Sequence, residues 1–315
     1  MKRYLITGVS GFVGQHFLKY LDTVGEQIEV IGIDCTAVGY MPLNYTYRFE
    51  PVDILVADKI LKIINDFQPD YLLHLAAKSS VSESLKEPEK VVVNNVSSLF
   101  GVLVSVQVAM QNRCRILVVG SSEVYAESNE PLIETSPCFP KNPYAYSKFI
   151  GETTVNMYCD RVDLDIVMTR SFMHTGPNQN EKFVVASFIK QLTEAKRQNK
   201  YPAELKTGNI DIIRDITDVR DIVRGYYLLL KHGRRQEVYN VCSGTAVSLK
   251  TIIEMASEIL DIPASIVIDP QRLRSNEIKL VVGNNEKIRK ETGWQPEIKL
   301  SQTLQDMIDH CQLTQ

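Results

Sequence analysis

Short apolar runs alternate along this chain with longer segments whose apolar residues recur every three or four positions. The runs are rich in Leu, Val and Ile, which is typical of buried strands, and the recurring spacing is typical of helices. Strands that alternate with helices predict an α/β fold whose parallel sheet is covered on both faces. The predicted strands are residues 3–7, 28–33, 70–75, 114–119 and 164–169, with a further strand near 237–242.

The first predicted strand runs directly into a glycine-rich turn, with Gly8, Gly11 and Gly14, after which a helical pattern begins. Glycines permit a tight turn and bring backbone N–H groups close to a pyrophosphate, and a helix N-terminus favours an anion. The second strand ends on Asp34, twenty positions after Gly14. An acid there accepts hydrogen bonds from the adenosine ribose and repels a 2′-phosphate. We therefore predict a Rossmann-type dinucleotide site that prefers NAD(H) to NADP(H).

Tyr144 and Lys148 are four positions apart, so they fall on one face of a helix. A free tyrosine loses its proton near pH ~10, and a cation held close favours the phenolate. We therefore predict that Lys148 lowers the pKa of Tyr144 and brings the phenol into the range of acid–base catalysis. The alternative is a surface lysine beside a packed tyrosine, and the glycine turn at the other end of the domain argues against it.

These motifs resemble those of the extended short-chain dehydrogenase/reductase family, which contains nucleotide-sugar epimerases, dehydratases and reductases. The resemblance covers nearly all of the chain. Its C-terminal motifs look most like the branch that reduces GDP-4-keto-6-deoxy-mannose. The further matching motifs are residues 53–54, 73–77, 94–96, 120–125, 170–177, 214–221 and 274–277.

The resemblance implies a further strand before Asp53 and a nicotinamide cofactor. The glycine turn, residues after this strand and after the predicted strands 28–33 and 70–75, and residues of two helices would hold the cofactor. The cofactor-binding residues predicted in this way are Gly8, Gly11, Phe12, Val13, Gly14, Asp34, Asp53, Ile54, Leu75, Ala76, Ala77, Asn95, Tyr144 and Lys148.

A serine that follows the predicted strand 114–119 lies at the carboxyl edge of the sheet, where ligands bind in open α/β folds. The resemblance selects Ser121, two positions before Glu123, rather than Ser122 as the hydroxyl that holds the substrate oxygen. In the family's dehydratases an acid at position 123 removes the C5 proton, whereas in reductases it can simply orient the substrate. Ser122 replaces the Asp of the glucose-type dehydratases, although the mannose-type enzymes tolerate Ser there. The predicted catalytic set is Ser121, Glu123, Tyr144 and Lys148.

Substrate contacts are expected from the loop after the predicted strand 70–75 and from a second lobe. Arg214 and Arg274 are the predicted diphosphate ligands, because a guanidinium fork bonds two phosphate oxygens at once. The alternative for both is a surface salt bridge. Met173 replaces the Asn that family members commonly carry, which leaves the exact sugar open. The predicted substrate-binding residues are Lys78, Ser79, Ser80, Ser122, Met173, His174, Val184, Arg214, Arg274 and Glu277.

Chain length is sufficient for two lobes around a large core, since 315 residues contain 44% hydrophobic residues. We predict a Rossmann domain for NAD in residues 1–176 with about 208–245. Residues 177–207 and 246–315 are predicted to form a smaller C-terminal lobe that binds the nucleotide sugar.

Net charge and cysteine spacing narrow the possible partners. A net charge of −3 provides no basic field for nucleic acid or an anionic membrane. The six cysteines show no Cys-x-x-Cys spacing, so we predict reduced thiols, with no metal site and no disulfide framework. We also expect no signal segment and no apolar run long enough to span a bilayer, which predicts a cytoplasmic protein.

Together these patterns predict an NAD(H)-dependent oxidoreductase that reduces the C4 keto group of a GDP-linked 4-keto-6-deoxyhexose. A 4,6-dehydratase or a 4-epimerase with tightly bound NAD is the alternative among enzymes. An NAD-sensing regulatory or scaffold protein is a further alternative, but a sensor has no need of a Ser/Tyr/Lys set. Helical segments near 96–111 and 144–158 are apolar on more than one face. By resemblance they pair into a four-helix interface of a homodimer.

Overall fold

The protein is described by a computed structural model that covers residues 1–37, 39–110, 113–273 and 277–313. Its strands are β1 (Lys2–Thr7), β2 (Ile28–Asp34), β3 (Thr46–Pro51), β4 (Tyr71–His74), β5 (Arg115–Ser121), β6 (Asp165–Ser171), β7 (Met173–Thr175), β8 (Ala203–Thr207), β9 (Ile213–Asp218), β10 (Val238–Val241), β11 (Ala246–Ser248), β12 (Ala264–Ile268) and β13 (Leu280–Val281). Its helices are α1 (Phe12–Leu21), α2 (Ala57–Phe67), α3 (Val81–Lys86), α4 (Pro88–Met110), α5 (Pro143–Arg161), α6 (Val184–Arg197), α7 (Val219–His232), α8 (Leu249–Leu260), α9 (Glu286–Thr292) and α10 (Leu300–Leu313).

Seven strands form a parallel sheet in the order β10-β6-β5-β4-β1-β2-β3. The strand order reverses at β1, which lies between β2 and β4, so a crevice opens at the carboxyl ends of these strands. The predicted Rossmann-type sheet is therefore confirmed. The six strand segments predicted from the apolar runs correspond to β1, β2, β4, β5, β6 and β10.

Alternation along β1 explains why both faces of the sheet are covered. Tyr4 and Ile6 lie in a core cluster with residues of α1 and α7, whereas Leu5 lies in a second cluster with residues of α2, α4 and α5. Neighbouring side chains of a strand point to opposite faces, so a continuous apolar run requires helices on both sides. This arrangement fixes the two helices that flank the crevice, α1 and α5.

A second group of elements lies beyond the main sheet. β9 pairs with β7, β11 and β13, β12 pairs with β8, and α6, α8 and α10 share a separate apolar core. Trp294, which follows α9, belongs instead to the core beside the main sheet, and its indole N–H donates to the carbonyl of Asp221 at 2.9 Å. The exact division into two lobes stays a prediction.

Helix α4 differs from what the sequence led us to expect. Within the described residues it is the one helix long and apolar enough to cross a membrane by length and composition. The expectation that no apolar segment reaches this length is therefore wrong. Leu99, Val102 and Leu103 on this helix are buried in the core beside the sheet, and buried core helices meet the same criterion. The finding is weak support for a membrane span.

Candidate active site

The glycine turn between β1 and α1 is closed by backbone contacts. Gly8 has a φ of +72°, and a Cβ atom there would lie 2.7 Å from the backbone nitrogen of Ala76. A Cβ atom on Gly14 would lie 2.5 Å from the carbonyl oxygen of Val9. Gly11 caps α1 without a side-chain hydrogen bond, so the first N–H groups of the helix, at Phe12 and Val13, are left without a side-chain cap. This arrangement suits a pyrophosphate.

The acid at the end of β2 is fixed beside this turn. Asp34 Oδ2 accepts a hydrogen bond from the backbone N–H of Ser10 at 3.0 Å, and Oδ1 accepts one from Cys35 at 2.7 Å. The structure thus brings Asp34 and the glycine turn together at the switch point. Asp53, which follows β3, is exposed and accepts a hydrogen bond from the N–H of Leu55 at 3.0 Å.

The loop after β4 forms the other wall of the cofactor crevice. The N–H groups of Leu75 and Ala76 donate to the carbonyl and the hydroxyl of Thr7, at 3.1 and 3.3 Å. Asn95 on α4 accepts a hydrogen bond from the N–H of Lys78 at 2.8 Å and donates to the Lys78 carbonyl at 3.1 Å. Its amide also donates to Ser147 Oγ at 2.9 Å. Asn95 therefore ties this loop to α5, the helix that contains Tyr144.

The phenol of Tyr144 lies next to the end of β5. The Ser121 hydroxyl lies near enough to act on the phenol, and Ser121 Oγ accepts a hydrogen bond from the N–H of Glu123 at 3.2 Å. Burial raises the pKa of Tyr144 to about 12; the Ser121 hydroxyl opposes this rise, and the nearby charge of Glu123 adds to it. The phenol consequently retains its proton at neutral pH.

Lys148 is one turn further along α5, but it acts differently from the prediction. Its ammonium donates to the carbonyl of Val119 at 2.8 Å, and burial lowers its pKa to about 8. The predicted lowering of the Tyr144 pKa by Lys148 is wrong for this structure, because burial of the phenol dominates. A small cavity is lined by Lys148, His74, Asn95 and Ser147. Burial lowers the pKa of His74 to about 3.

Residues predicted to contact the sugar near the sheet have different surroundings. Lys78 and Ser79 are exposed at the crevice. Ser80 is buried and caps α3, where its hydroxyl accepts a hydrogen bond from the N–H of Glu83 at 3.2 Å. Ser122 is buried in the short turn after β5.

The other predicted substrate-binding residues lie beyond the main sheet, in part on β7 and β9. The His174 ring stacks on Phe12 with 6.4 Å between ring centroids, and burial lowers its pKa. Arg214 donates to the carbonyl of Ile213 at 2.8 Å. Met173 and Val184 pack against the lobe core, and Glu277 is half-buried. Arg274 lies outside the described residues.

Two polar contacts of this site did not emerge from the sequence. The side-chain amide of Asn142 caps α5 and also donates to Glu123 Oε2 at 3.0 Å. Glu152, one turn after Lys148, forms a buried ion pair with Arg170 at 2.8 Å. An Asn-Pro pair before a helix indicates the cap, but nothing in the local sequence indicates either long-range partner.

The glycine turn, the acid after β2 and the Ser/Tyr/Lys set at the switch point together define an extended short-chain dehydrogenase/reductase. The chain matches the family model described as GDP-mannose 4,6 dehydratase over residues 5–307, and it belongs to that family. It is an enzyme of the group that contains nucleotide-sugar reductases, dehydratases and epimerases.

Relatives and solved structures agree with this placement. GDP-6-deoxy-D-mannose reductase of Pseudomonas aeruginosa is 32% identical over 310 residues, which cover 98% of this chain and 96% of that protein. The structure of RMD from Pseudomonas aeruginosa, complexed with NADPH, has a TM-score of 0.86 and 29% identity, and each chain is covered completely. UDP-glucose 4-epimerase of Thermus thermophilus, in a complex with NAD, has a TM-score of 0.85 over 98% of this chain and 99% of that chain. Its 24% identity shows the shared fold alone.

Proposed function

We propose that the chain is an NAD(H)-dependent 4-ketoreductase that acts on a GDP-linked 4-keto-6-deoxyhexose. The observation that supports this most directly is the protonated phenol of Tyr144, which lies beside Ser121 at the end of β5. Reduction of a ketone requires a proton donor at the carbonyl oxygen. Similarity to a GDP-6-deoxy-D-mannose reductase supports the choice of substrate class.

Each residue of the set has a distinct part in this proposal. The Tyr144 phenol delivers its proton to O4 of the sugar, while the Ser121 hydroxyl orients that oxygen and steadies the developing alkoxide. Lys148 and Asp34 would hold the two ribose units of the cofactor, and the uncapped N-terminus of α1 its pyrophosphate. A bound nicotinamide cofactor supplies the hydride to C4.

An assay with purified protein tests the proposal. GDP-4-keto-6-deoxy-D-mannose is incubated with NADH, and the loss of NADH absorbance and the product mass are followed. A panel of unmodified nucleotide sugars without added NADH serves as the control. We expect NADH-dependent reduction of the keto sugar. When the assay is run in deuterated water, we expect no deuterium to enter the product at C5.

A 4,6-dehydratase is the second candidate, because Glu123 lies close enough to Tyr144 to raise its pKa. A carboxylate at this place could remove the C5 proton of a 4-keto intermediate. Such an enzyme would convert an unmodified nucleotide sugar into its 4-keto-6-deoxy product without added NADH, and deuterium from solvent would enter at C5. That result would replace the reductase assignment.

Asp34 should make the enzyme prefer NADH to NADPH, because its carboxylate would bind the adenosine ribose and repel a 2′-phosphate. We expect a higher kcat/KM with NADH in the wild type and a smaller ratio in Asp34→Ala. Asp34 also accepts two backbone hydrogen bonds of the turn, so its loss can affect the binding of both cofactors. The relevant measurement is therefore the ratio of kcat/KM with NADH to kcat/KM with NADPH, rather than either KM. Asp66→Ala, which removes an exposed carboxylate at the far end of α2, is the matched control. Equal kcat/KM values in the wild type would contradict this prediction.

The chain should form a homodimer through α4 and α5. These helices pack on each other and leave apolar side chains exposed, with Val108 63% and Tyr146 53% accessible. Light scattering at micromolar concentration should give twice the chain mass of 35.7 kDa. Val108→Glu should shift the mass toward the monomer, because burying an unpaired carboxylate in an interface is costly. A monomeric wild type would refute the prediction.

We further propose a cytoplasmic location, without nucleic-acid or membrane partners.

A further inference from the structure

Asn142 uses both ends of its side-chain amide at the junction of two elements of the site. Its Oδ1 accepts a hydrogen bond from the N–H of Ala145 at 2.8 Å, which caps α5. Its Nδ2 donates to Glu123 Oε2 at 3.0 Å. Tyr144 follows two positions later, in the first turn of the same helix. One side chain therefore links the carboxylate of Glu123 to the start of the helix that contains the proton donor.

Capping alone does not require an amide. Asp, Ser and Thr cap helices about as well as Asn, because the cap needs only an acceptor oxygen. Asn142 differs from these residues in offering an N–H donor on the same planar group. In this structure that donor is directed to a carboxylate, and such charge-assisted hydrogen bonds are stronger than neutral ones.

Glu123 is held at two points. Its backbone N–H donates to Ser121 Oγ, and its Oε2 accepts from Asn142. Among the described residues, Oε1 has no hydrogen-bond partner, and the carboxylate lies close enough to Tyr144 for its charge to act on the phenol. Oε1 is thus the oxygen that remains for a ligand next to the proton donor.

We propose that Asn142 is a positioning residue, whose amide orients the Glu123 carboxylate so that Oε1 faces the bound sugar. The proposal rests on the proposed function, because it assigns Glu123 the part of orienting a nucleotide sugar. Loss of the Asn142 donor would leave the cap and the Ser121–Tyr144 pair in place. It would release the Glu123 side chain, and the affinity for the sugar would fall.

A donor–acceptor exchange between positions 142 and 123 tests this inference. Asn142→Asp keeps the cap but replaces the amide donor with a carboxylate oxygen, which repels the Glu123 carboxylate. We therefore expect the KM for GDP-4-keto-6-deoxy-D-mannose to rise about tenfold. Adding Glu123→Gln restores the hydrogen bond with donor and acceptor exchanged. We expect the double variant to return to within about threefold of Glu123→Gln alone, which is a coupling that distant sites do not show.

Two further measurements separate positioning from folding. The thermal midpoint and the Kd for NADH should stay at the wild-type values in Asn142→Asp. Asn142→Ser keeps the cap without a donor in reach and without a new charge, and its KM should rise by less than that of Asn142→Asp. A KM increase in Asn142→Asp that the addition of Glu123→Gln does not reverse would overturn the inference. An unchanged KM in both Asn142→Asp and Asn142→Ser would also overturn it.

The wild-type assay decides the proposed function separately. If the wild type shows no NADH-dependent reduction, the same exchange is measured by calorimetry as the Kd for GDP-mannose. A weakened Kd in Asn142→Asp that is restored in the double variant would support the positioning role under another reaction. An additive loss of affinity would exclude that role.

Discussion

Tyr144→Phe should lower kcat for the reduction of the 4-keto sugar by about 10² to 10⁴, because it removes the proton donor and little else. The phenol lies beside Ser121, and burial raises its pKa to about 12. The phenol therefore retains its proton throughout the neutral pH range, and a Phe side chain has no proton to donate. Binding of NADH, measured by fluorescence titration, should be nearly unchanged.

Tyr146→Phe is the matched control for this prediction. Tyr146 lies on the same helix two residues further on, and 53% of its surface is exposed. Its hydroxyl should contribute nothing to the reaction, so kcat should stay at the wild-type value. A Tyr144→Phe enzyme within tenfold of the wild type would exclude Tyr144 as the donor and direct attention to a bound water.

Local sequence patterns predicted six of the seven strands of the main sheet, and the edge strand β3 was missed. The apolar run of β1 and the glycines that follow it depend on neighbouring residues only, because strand formation, a turn with positive φ at Gly8 and the start of α1 are local events. The strands outside the main sheet are different, since β7 pairs with β9 about forty residues later. A spacing pattern contains no record of such a pairing, so none of these strands was predicted from the sequence.

The chemistry of the site shows the same limit. The spacing of Tyr144 and Lys148 correctly placed both on α5, but it could not indicate that the ammonium would bond the carbonyl of Val119. It also could not show that burial would outweigh a nearby cation in setting the pKa of Tyr144. Burial depends on everything that surrounds a group, whereas helical spacing describes only one element. The contacts of Asn142 with Glu123 and of Glu152 with Arg170 were missed for the same reason.

Glu152→Ala should destabilise the protein by about 3–5 kcal/mol, because it leaves a buried guanidinium without its counter-ion. Arg170 donates to both oxygens of Glu152, at 2.8 to 3.2 Å, and the side chains are 9% and 8% exposed. The guanidinium also lies 4.6 Å from the centre of the Tyr125 ring. Urea unfolding can be followed by the fluorescence of Trp294, the single tryptophan, which is completely buried.

The ion pair between Lys62 and Asp66 provides the control, since these side chains are 76% and 52% exposed. Asp66→Ala should leave the free energy of unfolding nearly unchanged, because water screens the charges before and after the substitution. The loss of unfolding free energy in Glu152→Gln should lie between those of Glu152→Ala and Asp66→Ala, since Gln retains a hydrogen-bond acceptor but loses the charge. A cost below about 1 kcal/mol for Glu152→Ala would mean that water reaches Arg170 when its partner is removed. Glu152 lies two turns after Tyr144 on one face of α5. A large loss of stability in Glu152→Ala would therefore show that this ion pair stabilises the packing of α5, the helix that contains Tyr144, against β6.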